Sequence, residues 1–437
     1  MKRTVLCSVL ILAVTAPAHA QETVRLTLAE ALERARQSSP RLAELDDLKR
    51  AAAARLRGAE AEKRPEVDLQ ASYFRNSDVP EFSLSLPGAG TRTIFPNIPD
   101  NYRLHAGASL PLYTGGRIEG AIEAAGRERE AAGQDRAGGE RDLVLETTLA
   151  YWSLVTARES ARVLAESIAS YEAHLKDARN RFDVGVAASN EVLTVQVERD
   201  RAELGRLQAE NGAEVANANL ARILGLPPST RIETTEPMTA PAGEPEDEEA
   251  LAAAALDARP ELLALRERIA SARASALVRR AATRPQVGLS LGYDYANPNT
   301  RIFPLRDEFE ATWTAGVTLG FNAWDGGRTA AAVEEAEARA SALERRLEDT
   351  ERRLRLDVAS RLADLRTARA ALEVSQRNLE AARENLRVAQ DRYREGVIPS
   401  SDLLDAETLL LRAGLDQTDA AARIRVALAN LDRAVGR

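Results

Sequence analysis

Asp402 and Asp405 stand three residues apart in the run Asp402-Leu403-Leu404-Asp405. On a helix that spacing puts both carboxylates on one face, where they repel one another. A helix start needs only one acidic group to complement its dipole, so the pair suggests concentrated negative charge. Little else in the 437-residue chain could do chemistry. The histidines His19, His105 and His174 lie far apart, and Cys7 is the sole cysteine. Without cysteines a zinc site would need both later histidines plus carboxylates, and the spacing gives no reason to expect one. No Gly-rich phosphate loop, nucleophile elbow or acid–base histidine constellation is present. The sequence therefore argues against an enzyme and calls for no cofactor. With 59 basic and 67 acidic residues the formal charge is −8. Its arginines are spread along helical faces rather than clustered, which argues against a nucleic-acid partner.

The chain opens as a secretory signal peptide: Lys2 and Arg3, an apolar stretch Thr4 to Val14, then Ala18-His19-Ala20 as a small-x-small cleavage site. Residues 1–20 are expected to be removed, leaving a mature start at Gln21. Cys7 lies too early to carry a lipid at the mature end, and no other cysteine follows it. Beyond the signal no stretch is long and apolar enough for a membrane helix. Entry into a membrane would have to use strands.

Internal repetition organises the rest. Arg64-Pro65-Glu66-Val67 returns as Arg284-Pro285-Gln286-Val287. Gly115-Gly116-Arg117 returns as Gly326-Gly327-Arg328. Arg181-Phe182-Asp183-Val184-Gly185 returns as Arg392-Tyr393-Arg394-Glu395-Gly396 at the same offset. The chain reads as a tandem duplication, with repeat 1 over 21–225, a connector over 226–259 and repeat 2 over 260–437. Each repeat would hold a helix, two strands and a long helical hairpin.

Each repeat has two segments of period-two alternation: Val67 to Tyr73 and Tyr102 to Leu112, then Val287 to Tyr295 and Phe309 to Phe321. Their length suits the roughly 9–11 residues of a barrel strand, and Tyr73, Tyr102, Tyr295 and Phe309 near their ends suit an interfacial girdle. Four strands cannot close a barrel and lipid tolerates no open edge, so neighbouring chains must supply partners; three copies give twelve strands.

Proline-free, Ala/Glu/Arg/Leu-rich segments follow each Gly-Gly-Arg, of equal length and about 100 Å long if continuous. Gly133, Gly138 and Gly139 weaken the first and mark a place for a bend. A heptad seam closes each segment: Ala161, Leu164, Ile168, Tyr171, Leu175, Ala178 and Phe182, then Leu372, Ser375, Leu379, Ala382, Leu386, Ala389 and Tyr393. Gly185 and Gly396 are natural left-handed terminators. Ser189 and Ser400 are expected to N-cap the returning helices, with Glu191 and Asp402 in the first turns.

In the order, spacing and duplication of these motifs, with Leu26-Thr27-Leu28-Ala29-Glu30-Ala31 as a capping box, the mature chain resembles the TolC-type outer-membrane efflux protein family. The resemblance implies a mostly helical chain with membrane β-structure: a homotrimer whose twelve-stranded barrel, four strands per chain, continues as a long α-helical barrel. It implies contact with outer-membrane lipid and partners in a periplasmic adaptor and an inner-membrane transporter. It places a channel constriction at Asp402 and Asp405; Glu191 and Thr194 replace them in the first repeat, so any ring would come from the second. Docking at the tips would fall on Arg181, Gly185, Ser189 and Leu193, and on Arg392, Tyr393, Gly396, Ser400 and Leu404. Tyr393 matches an aromatic the family uses near the closed end, whereas Ile398 stands where a basic latch is expected. The rival is a periplasmic adaptor of such a system, but that class predicts one hairpin and many short β-segments.

Overall fold

The computed structural model describes residues 23–88, 90–238 and 247–437. The expected signal peptide, the mature start at Gln21 and part of the connector lie outside them. The chain divides into two compact units, one of residues 1–40, 140–252 and 357–437, the other of 41–139 and 253–356.

The second unit carries the long strands: β2 (Glu66–Arg75), β5 (Asp100–Tyr113), β7 (Gln286–Asn297) and β8 (Glu310–Gly320). All pairings are antiparallel in the order β2-β5-β7-β8, so the last strand of repeat 1 pairs with the first of repeat 2. Tyr73 faces Tyr102, and Tyr293 faces both Ala106 and Trp313. The alternation written in the sequence fixes this register, because a slip by one residue would turn every side chain to the other face. One face is apolar yet uncovered: Leu69 is 81% exposed, Trp313 74% and Leu319 67%. Tyr73, Tyr102, Phe309 and Tyr295 form one chain of ring contacts across it, with centroids 5.0 to 5.9 Å apart. The sequence reading passed over a hairpin, β3 (Phe82–Leu86) with β4 (Gly90–Phe95), because its five- and six-residue strands are too short to show a period.

The first unit holds a two-stranded parallel pair that the sequence also hid, β1 (Thr23–Leu26) beside β6 (Arg231–Thr234), four residues each. Next comes α1 (Leu28–Ser38), whose capping box is formed as expected: Thr27 Oγ1 accepts from Glu30 N, and Thr27 N donates to Glu30 Oε2 at 2.8 Å. The buried Tyr151 hydroxyl donates to Leu26 O at 3.1 Å and ties β1 to the long helix. Shorter helices complete the repeats: α2 (Pro40–Ala61), α5 (Glu248–Ala258) and α6 (Pro260–Arg280).

Both long segments are single helices of 67 residues, α3 (Arg117–Asp183) and α7 (Arg328–Arg394). They return as α4 (Ser189–Ile223) and α8 (Ser400–Val435). Helix α3 runs without a break through Gly133, Gly138 and Gly139. At Gly139 an added Cβ would meet Leu45 Cδ1 at 2.3 Å, so close approach of α2 explains that residue better than weakness does.

The Gly-Gly pairs turn sheet into helix with positive φ at Gly115, Gly116, Gly326 and Gly327. Just before them Thr114 Oγ1 accepts from Ile118 N and Asp325 Oδ2 from Thr329 N, which caps both long helices. The two copies are not equally confined. A Cβ on Gly115 would lie 2.6 Å from Arg284 Cβ and 3.1 Å from Ala281 O, whereas Gly326 faces open space. Left-handed backbone costs a non-glycine residue roughly 1–2 kcal/mol. Gly326→Ala should lower stability by about that amount, and Gly115→Ala by clearly more, since backbone must also move. Thermal melting of the two variants checks the order.

Candidate functional site at the helix tips

The two hairpin tips belong to the first unit and share one turn geometry. Gly185 N donates to Phe182 O and Val186 N to Arg181 O, at 2.9 and 2.8 Å; Gly396 N to Tyr393 O and Val397 N to Arg392 O repeat the pattern at 3.0 and 2.9 Å. These are Schellman closures, which need a left-handed residue, and φ is +80° at Gly185 and +75° at Gly396. Nothing lies within 4 Å of where either Cβ would sit, so the turn alone demands glycine.

The serines do not cap. Ala188 and Pro399 hold the extended N-cap conformations, neither with a side-chain cap bond, and Ser189 and Ser400 are the first helical residues. Glu191 and Asp402 do stand in the first turns. Ser400 serves elsewhere. Its buried Oγ lies 2.9 Å from His174 Nε2, while His174 Nδ1 donates to Glu407 Oε2 at 2.8 Å. Ser170 Oγ donates to Glu407 Oε1 at 2.7 Å. His174 is 3% exposed and Glu407 5%, so a buried charge is held by partners from α3 while its own helix is α8.

Aromatic contacts reinforce this join. The His174 ring meets Tyr393 edge-on at 5.3 Å. The Arg181 guanidinium lies 4.1 Å from the Tyr393 ring centroid and donates to Tyr393 O at 2.7 Å. Burial pushes the Tyr393 phenol above its ordinary value, and the Arg181 charge partly offsets that. Nearby, Ile398 packs on the cluster of Leu386, Ala389, Tyr393, Leu403 and Ala406. The residue standing at the expected basic latch is thus part of an apolar core. The sequence reading missed His174, Ser170 and Glu407, whose contacts span α3 and α8 with no local signal.

The expected docking residues divide. Gly185, Ser189, Leu193, Arg392 and Gly396 are exposed, Leu193 at 61%. Tyr393, Ser400 and Leu404 are buried, Leu404 in a cluster with Ile168, Tyr171, Leu175 and Val195, and Arg181 is half-buried over Tyr393. These four cannot offer a free surface in this arrangement. Seam residue Phe182 is 46% exposed while its equivalent Tyr393 is 4% exposed, because only the second tip is covered.

Asp402 and Asp405 lie together on the exposed side of α8, with Leu403, Leu404, Ala406 and Glu407 turned into the core. Asp402 Oδ1 accepts from Ser401 Oγ at 3.3 Å. Among the described residues neither carboxylate has an ion-pair partner, although arginine partners three or four residues away are common elsewhere on these helices.

Among the described residues no three His, Cys, Asp or Glu side chains gather as a metal site, and no helix is long and apolar enough to cross a membrane.

The profile of the family described as outer membrane efflux protein matches residues 31–226 and 251–437. Protein CyaE of Bordetella pertussis is 32% identical over 196 residues, 44% of this chain and 41% of that protein, so this likeness spans less than half of the relative. Outer membrane protein TolC of Vibrio cholerae is 24% identical over 323 residues, covering 74% of this chain and 70% of that one. The crystal structure of the outer membrane protein VceC from Vibrio cholerae matches with a TM-score of 0.78 at 20% identity, over 94% of this chain and 96% of the other, a likeness of fold.

Replacing His174 with Leu would leave buried Glu407 with Ser170 as its remaining side-chain partner, and breaking a buried pair from one side costs about 3–5 kcal/mol. Thermal melting should fall accordingly, and hydrogen exchange should rise at the start of α8 before it rises around Tyr151.

Proposed function

The chain belongs to the outer membrane efflux protein family, and from that premise we propose that it is the exit duct of a tripartite efflux or type I secretion system. Cargo would pass through it from a periplasm-spanning transporter complex to the exterior. As a family member the protein resides in the outer membrane.

One observation carries the reading: among the described residues the four-stranded sheet has unpaired outer strands, β2 and β8, and an apolar face with nothing over it. A bilayer covers such a face but cannot satisfy the edges, which must pair or close. Three chains, with β8 of each beside β2 of the next, make a twelve-stranded barrel without edges. The α-helices of the three chains then continue it as a tunnel in the periplasm. A periplasmic adaptor has no use for four long strands with a lipid-like face, so that alternative is disfavoured. The exposed parts of both tips, around Gly185 and Gly396, are the docking surface for the adaptor that links the duct to an inner-membrane transporter. The tip motif follows the same architecture in each repeat, which suits a ring of six turns.

Assembly should be obligate. Mass measurement in detergent should give a trimer, and a stable folded monomer in the membrane would remove the barrel from the reading.

Asp402 and Asp405 are the constriction. Six carboxylates around an axis concentrate cations in a confined, low-dielectric passage. The isolated channel should be cation-selective, and multivalent cations should block it from the tip side. Asp402→Ala with Asp405→Ala should weaken selectivity and block together in planar-bilayer recordings and raise resting conductance. Unchanged selectivity and block would place both groups outside the pore and leave the channel reading standing.

A further inference from the structure

A cavity of about 620 Å³ opens in the first unit between α3, α4 and the segment leading into β6. Two guanidinium groups line it, Arg158 from α3 and Arg231 at the start of β6. Their surroundings make them unusual. Nearby arginines hold carboxylates: Arg25 with Glu233 at 2.9 Å, Arg222 with Glu146 at 2.7 Å, Arg206 with Glu203 and Glu210 at 2.7 and 2.8 Å. Arg158 and Arg231 have neither an ion pair nor a hydrogen bond among the described residues. Arg158 is also half-buried, and its pKa is lowered, first by that burial and then by the charge of Arg231. The two like charges thus repel across the cavity, offset only in part by Glu233, which Arg25 already holds.

The wall is rigid. Asn217 on α4 donates to Thr230 O at 2.8 Å and accepts from Ile232 N at 2.9 Å, which pins the backbone on both sides of Arg231. Along the same face of α4 stand Glu214 and Glu210. Glu210 is taken by Arg206, whereas Glu214 is exposed and has no partner among the described residues. The cavity therefore has a cationic end beside Asn217 and an anionic end further along α4. Glu214 and Asn217 differ by about 4.5 Å of helix rise, and Glu210 and Asn217 by about 10.5 Å. Two or three extended residues of peptide span roughly 7–10 Å.

We propose that this cavity binds a short zwitterionic peptide, with its terminal carboxylate on Arg158 and Arg231 and its ammonium toward the stretch of α4 that carries Glu214 and Glu210. A planar guanidinium pair suits a carboxylate through parallel hydrogen bonds, and the volume suits a ligand of that size. This site stands independently of the channel reading, since it uses neither the strands nor the tips.

The test is isothermal titration of the purified full-length protein in detergent with trialanine, trialanine amide and N-acetyl-trialanine. Wild type should bind trialanine, and amidation should weaken binding at least tenfold. Arg158→Gln and Arg231→Gln should each do the same, and Arg158→Lys, which keeps the charge but loses the fork, should weaken it by a smaller factor. Glu214→Gln should weaken the free peptide more than the N-acetyl form. Without peptide, Arg158→Gln should melt at or above the wild-type temperature, because it removes a half-buried charge that has no ion pair. No binding of trialanine, equal affinity for the capped peptides, or inorganic phosphate binding as tightly as the peptide would overturn the proposal. So would a lower melting temperature of Arg158→Gln with peptide affinity unchanged, since Arg158 would then be structural.

Discussion

Backbone hydrogen bonding at the outer sides of β2 and β8 is the constraint on which the rest of the architecture depends. Each of these strands uses one side within the chain and leaves the other without a partner. In water such edges are a liability that charge or a covering helix can manage; in hydrocarbon they must be paired. A chain with four such strands reaches a closed ring only by association, so the proposed barrel requires other copies of the chain. The Gly-Gly turns follow from it. Every strand-to-helix exit must leave the sheet at a common level, and left-handed glycines at the same place in both repeats provide that reversal.

The two tips share one turn geometry but have different neighbours. Both tips make the same two Schellman bonds, yet the second tip is roofed by Arg181 and fastened through Ser400, His174 and Glu407. The first tip leaves Phe182, Val184 and Val186 exposed, Val184 at 73%. A buried carboxylate with two hydrogen-bond donors is a poor source of net stability but a selective one. It is satisfied in one arrangement of α3 against α8 and costly in any other. The geometry therefore fixes where α8 sits against α3.

What the sequence showed was whatever repeats or alternates. The four long strands, both 67-residue helices, the capping box at Thr27 and the two left-handed glycines were all legible, because each is written in local pattern. Period-two and heptad patterns locate elements but say nothing about which element covers another. The burial of Leu404, Ser400 and Tyr393 was therefore hidden, and so was the His174–Glu407 pair. Ser189 and Ser400 misled for a simpler reason. Serine at a turn is read as a cap, but the residue before each already held the extended conformation a cap requires. The short pairs β1–β6 and β3–β4 had too few residues to show any period.

Charge placement on the long helices carries the last step. Glu159, Arg162 and Glu166 form one run of pairs, Glu384, Arg387 and Asp391 another, and Asp419 with Arg423 a third. Exposed pairs of this kind contribute little to stability, too little to explain why one site has them and another does not. Their larger effect is on the field, since each pair cancels its own charge within a few ångströms. Asp402 and Asp405 lack such partners on a helix where Asp419 has one, so their charge is left to act on whatever passes outside the chain. The same reasoning separates Arg158 and Arg231 from the arginines around them.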